Sequence, residues 1–110
     1  MSGVHDAAVD VTVTCGSAEE AREIARAVVE AGLAACAKSW LVASTYRWKG
    51  AVESDDEHLV VFTTVPSRFE QLCECIRALH SYELPAITMV PVGALGPGVA
   101  EWIVESTGPT

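Results

Sequence analysis

From Ala34 to Trp48 the chain contains no proline and consists mostly of β-tolerant residues, so it reads as one extended strand. That is far longer than the ~5–6 residues of an ordinary strand. A strand this long outruns its own sheet. Its unpaired N–H and C=O groups have to be covered in water, most simply by another copy of the same chain. Lys49-Gly50 makes the turn that follows, and the acidic run Glu53-Ser54-Asp55-Asp56-Glu57 is expected to cap the hairpin tip. Leu59 to Val65 is expected to return as the third strand.

Around that ribbon the hydrophobic period changes from two to 3.6 and back. Val9 to Cys15 places Val9, Val11 and Val13 on one face, the pattern of a half-buried strand. Ser17-Ala18-Glu19-Glu20 is a capping box: the serine hydroxyl accepts a free backbone N–H while the glutamate returns to the cap. The helix it opens carries Ala21, Ile24, Ala25, Val28 and Val29 toward the core and closes at Gly32. Ser67-Arg68-Phe69-Glu70 reads as a second capping box, ahead of a stripe of Phe69, Leu72, Cys73, Ile76 and Leu79. Residues two apart lie about 200° around a helix axis, so Cys73 is expected to face the core and Cys75 to point away. Ala86 to Val92 reads as a fourth strand, residues 93–98 as a glycine-rich loop, and Val99 to Ser106 as a short closing helix with Trp102. This order predicts an α+β domain of ferredoxin-like, split βαβ plan (βαββαβ). A four-stranded antiparallel sheet would carry two helices on one face and a short C-terminal helix. The domain is expected over residues 8–106, with tails at 1–7 and 107–110.

The 110 residues make one domain, and a net charge of −8 disfavours nucleic acid and anionic membranes while favouring cations. No apolar stretch approaches the ~20 residues of a membrane span. Met1 to Ala7 has neither a basic start nor an apolar h-region, so the expected location is cytoplasmic. There Cys15, Cys36, Cys73 and Cys75 are expected to stay thiols, and their spacing matches no zinc cage.

Cys15 ends a strand just before a helix N-terminus, where the dipole favours a thiolate, the form that binds soft ions; plain packing is the alternative. His80 ends the second helix, where it is either a neutral metal ligand or a protonated cap. Tyr82 and Glu83 stand beside it as groups that would orient the ring. Cys36 reads as core, and His58, in line with Val60 and Phe62, as a partly buried histidine with its hydrogen bonds satisfied. His5 belongs to the tail. Tyr46, Trp48 and Lys49, with Tyr82 and Glu83, are candidates for an effector cleft or a subunit interface. The acidic run lacks EF-hand spacing, and no nucleophile elbow, HExxH or glycine-rich phosphate loop occurs, so no enzyme is expected.

Leu33-Ala34-Ala35-Cys36, Tyr46-Arg47-Trp48-Lys49-Gly50, Glu57, His80-Ser81-Tyr82-Glu83-Leu84-Pro85 and Trp102-Ile103 together resemble the CutA family of divalent-cation tolerance proteins, from about Val9 to Ser106. The resemblance implies a ferredoxin-like protomer and a tight homotrimer whose long strands pair between subunits. It also implies binding of copper and other divalent cations, with no obligatory cofactor. The family's copper-linked cysteine and histidine carry over onto Cys15 and His80. Because the trimeric plan is shared with PII proteins, a regulatory trimer with a small effector in its inter-subunit cleft is the alternative. The chain departs from the family pattern at Ser81 (usually Pro), Ala86 (usually Glu) and Thr63 (usually Lys), and has Leu79 where some members carry a second His. Joint loss of the Lys and Glu would follow if they normally pair, since a lone buried charge costs several kcal/mol. That explanation requires Thr63 and Ala86 to lie close together.

Overall fold

Valine alternation at one end and a two-residue turn at the other set the frame of the computed structural model, which describes residues 8–108. His5 and the 1–7 tail lie outside the described residues. In chain order the elements are β1 (Val9–Cys15), α1 (Ala18–Glu30), β2 (Cys36–Trp48), β3 (Ala51–Thr64), a 3-10 turn (Pro66–Arg68), α2 (Phe69–Leu79), β4 (Thr88–Pro91) and α3 (Val99–Thr107). The sheet runs β2-β3-β1-β4 with every neighbouring pair antiparallel, the expected ferredoxin-like plan. The core lies on one face: Val9, Val11, Val13 and Cys15 of β1 and Val60 and Phe62 of β3 pack against Ala21, Ile24 and Val28 of α1 and Leu72 and Ile76 of α2. Gly32, at φ +73, takes the left-handed position that closes α1, as its place in the sequence predicts.

The hairpin differs from expectation. Trp48 pairs directly with Ala51, so only Lys49 and Gly50 form the turn, and both have positive φ (49° and 85°) as a type I′ turn requires. The acidic run is therefore not the tip. It lies inside β3, which starts at Ala51 rather than Leu59, because the tight turn imposes one-for-one pairing down both strands. Polar composition hid a strand whose register its turn dictates. Gly50→Ala should cost about 1 kcal/mol in urea denaturation, since a side chain is strained at that φ.

β1 covers β3 only from His58 to Thr64, so the rest of the hairpin projects beyond the sheet and the molecule measures 48 × 26 × 21 Å. Alternation places Lys38, Trp40, Val42, Leu59 and Val61 on the face away from the helices. Cys36 is on that outer face as well, half-buried, because its neighbour Ala37 pairs with the core residue Phe62; the expected core position is thus corrected.

Further expectations change. Ser67 sits within the 3-10 turn, whose helical conformation is not the extended one a cap needs, and α2 begins without a side-chain cap. Cys75, not Cys73, packs against the core. Both flank the Leu72/Ile76 stripe by about 80° on opposite sides, so the position of the packing partner decides between them. Thr107 is buried at the end of α3 and its carbonyl accepts from Arg68 Nε at 2.8 Å, so the closing helix runs one residue past Ser106. β4 is shorter than expected. Thr88 stands opposite Thr12, so Ala86 lies toward the Cys15 end of β1, whereas Thr63 pairs with Asp10. The two positions are separated by roughly 13 Å along the strand and by a strand between them, which removes an ion pair within one chain. All four cysteines are free thiols.

Candidate cation site

Three elements end at one place. β1 delivers Cys15, the first turn of α1 delivers Glu20, and the end of α2 delivers His80; their ligand-capable atoms all lie within 4.8 Å of one another. Sequence reasoning named Cys15 and His80 and missed Glu20. The capping box did mark that residue: Ser17 Oγ accepts from the Glu20 N–H at 3.1 Å, and Glu20 Oε1 accepts from the Gly16 N–H at 3.1 Å, one residue upstream of the cap. Its other oxygen accepts from the Ser81 N–H at 2.7 Å, a contact only the folded chain makes. Burial opposes the ionised form of Glu20, but the bonds from Ser81 and Gly16 and the nearby His80 outweigh it and hold the carboxyl below its ordinary range.

His80 does not cap α2 with its ring. Its Nδ1 accepts from the Tyr82 N–H at 3.0 Å, which leaves Nε2 to donate to the Thr14 carbonyl at 2.8 Å. The imidazole thus ties the end of α2 to β1, with the Tyr82 ring 4.7 Å away. The backbone N–H of Tyr82, rather than its side chain, thus fixes the orientation of the His80 ring. Glu83 instead reaches the hairpin, where its carboxylate meets Lys49 Nζ at 3.4 Å.

The expected thiolate at Cys15 is corrected. The side chain is fully buried, and burial first, then the charges of Glu20 and Glu57, push the thiol up to about 11 from 9.0. Desolvation defeats the helix dipole. The folded state keeps this proton while the unfolded chain releases it, so the resulting stability is present below pH 9 and is lost as pH rises toward 11. The loss amounts to about 2–3 kcal/mol. Urea denaturation between pH 9 and pH 11 should show a decline smaller by that amount in Cys15→Ala.

Alongside lies a second polar group. The Tyr82 hydroxyl donates to the buried Glu57 Oε2 at 2.6 Å, and burial followed by this bond raises the phenol above its ordinary value. Tyr46 donates to Asp55 Oδ2 at 2.7 Å and is pushed up to about 12, chiefly by that bond. Lys49 Nζ lies 5.5 Å from the Trp48 ring centroid. Tyr46, Trp48, Lys49, Tyr82 and Glu83 therefore gather along one flank of the hairpin, half-exposed to fully exposed. A recess of about 290 Å³ lies elsewhere, along Gly93–Glu101. His58 departs from expectation, because its buried Nδ1 has no hydrogen-bond partner.

A ferredoxin-like sheet with a soft thiol, a carboxylate and an imidazole at the end of its first strand defines a protein class suited to holding a cation. The chain belongs to the CutA1 divalent ion tolerance protein family, whose model matches residues 9–106. It is 40% identical over 96 residues to mouse protein CutA, covering 86% of this chain and 54% of that protein. It is 39% identical over 99 residues to the divalent-cation tolerance protein CutA of Thermus thermophilus, covering 89% and 96%. The chain thus spans about half the length of its mouse relative and nearly all of the Thermus one. Among solved structures, the Thermus thermophilus divalent cation tolerance protein superposes with a TM-score of 0.88 at 38% identity, covering 92% of this chain and 99% of that one. CutA1 from Oryza sativa gives 0.90 at 28% identity, covering 97% and 99%.

Proposed function

We propose that this protein is a homotrimeric, cytoplasmic binder of divalent cations, copper among them, that contributes to metal tolerance through Cys15, Glu20 and His80. The observation that carries the reading is the meeting of three ligand-type side chains from three separate elements within 4.8 Å. The thiol is protonated at rest and both His80 nitrogens are engaged, so an arriving ion displaces a proton and at least one hydrogen bond. This is the behaviour of a site that takes up and releases its cargo. A high thiol pKa also makes Cys15 a poor nucleophile near neutral pH, in keeping with binding rather than catalysis. Titration of the reduced protein with Co(II) or Zn(II) tests the reading. Binding no tighter than that of a Cys15→Ala, His80→Ala double variant would end it.

Self-association is supported by the uncovered outer face and by the unpaired edges of β2, β4 and the projecting hairpin. Sedimentation equilibrium giving the mass of one chain would exclude it. The alternative is a PII-like regulatory trimer holding a small effector between subunits. The half-exposed Tyr46 and Trp48 beside Lys49 and Glu83 favour it, and a rise in melting temperature across a metabolite panel would support it. The cytoplasmic assignment is tested by cell fractionation.

A further inference from the structure

Of the three side chains that meet at the end of β1, Glu20 is the one gripped at both polar atoms by backbone N–H groups. The two donors occupy telling positions. Gly16 directly follows Cys15 and donates to Oε1 at 3.1 Å, while Ser81 directly follows His80 and donates to Oε2 at 2.7 Å. The carboxylate is thereby tied to the backbone next to each of the other two ligands, so thiol, carboxylate and imidazole share one frame. The bonds differ in kind. The Gly16 bond is local, between residues four apart, and long for an N–H meeting a charged acceptor. The Ser81 bond is short and joins residues 61 apart in sequence, fastening the end of α2 to the first turn of α1.

A free glutamate side chain gives up rotamer freedom when it binds an ion, and a group that holds it beforehand removes that cost from the binding step. Resting on the cation-binding reading above, we propose that the backbone N–H of Ser81 is the positioning group of the site: it anchors Glu20 through Oε2 and presents Oε1, the more loosely held oxygen, to a divalent cation between Cys15 and His80. An arriving ion draws Oε1 from the long Gly16 bond and leaves the short Ser81 bond intact. Groups that hydrogen-bond a ligating carboxylate orient it in this way, and their loss costs 10–100-fold in metal affinity.

The test uses the full reduced chain with Co(II) as probe, read by thiolate-to-cobalt charge transfer. Ser81→Pro removes the N–H, and His80, at φ −79 and ψ 139, already has the extended conformation that a residue before proline adopts. Ser81→Ala removes the hydroxyl, which also favours the ionised carboxyl, and keeps the N–H. Ser81→Pro should weaken Co(II) binding at least about tenfold, Ser81→Ala should stay near native, and in a Glu20→Ala background Ser81→Pro should cost almost nothing more. A readout that needs no variant is amide exchange in the native protein loaded with Zn(II): the Ser81 N–H should stay protected while the Gly16 resonance shifts. Native affinity in Ser81→Pro, an undiminished loss in the Glu20→Ala background, or a Ser81 amide that loses protection on Zn(II) binding overturns the role of Ser81 and leaves the cation reading standing. Absence of Co(II) binding to the native chain overturns the cation reading and this proposal with it.

Discussion

Trp40→Asp should convert the proposed trimer into single chains in sedimentation velocity, with far-UV circular dichroism unchanged. Trp40 lies on the sheet face opposite the helices, is 49% exposed, and stands beside Leu59 in a row with Val42 and Val61. It touches none of the core between sheet and helices, so the fold of one chain does not depend on it. An aromatic side chain buries 150–250 Å² in a contact, and truncating such an anchor commonly costs 2 kcal/mol or more. The substitution also forces a carboxylate into the seam, and in a closed ring each copy repeats the penalty. A variant of native mass would show that the subunits meet elsewhere.

Tyr82→Phe should destabilise the chain by about 3 kcal/mol, because it leaves a buried carboxylate without its hydroxyl donor. Glu57 is 4% exposed, and the Tyr82 hydroxyl at 2.6 Å is its side-chain partner. Phenylalanine retains the ring that packs over Gly16 and the backbone N–H that serves His80, so the change isolates one hydroxyl. In a Glu57→Leu background the same substitution should cost almost nothing by urea denaturation. Equal costs in both backgrounds would mean that the hydroxyl stabilises the fold through something other than its bond to Glu57.

Much of this architecture was readable from local chemistry. The valine alternation of β1, the Ser17 cap, Gly32 and the Lys49-Gly50 turn each specify backbone geometry within a few residues, and each took the form their chemistry dictates. The start of β3 was hidden because acidic residues have low strand preference, while pairing to β2 through a fixed turn overrides preference. Cys15 and His80 were identifiable from residue type and position. Glu20 was not, since its part depends on an N–H from residue 81 that only the fold brings near. The charge state of Cys15 was misjudged for a related reason: the helix terminus is visible in the sequence, but complete burial beside two carboxylates is not.

Position 81 carries a consequence of its own. Where the family resemblance leads one to expect proline, this chain has serine, and the serine N–H is what grips the second oxygen of Glu20 at 2.7 Å. Proline has no hydrogen to give. A single atom thus decides whether that oxygen is already spoken for before any ion arrives.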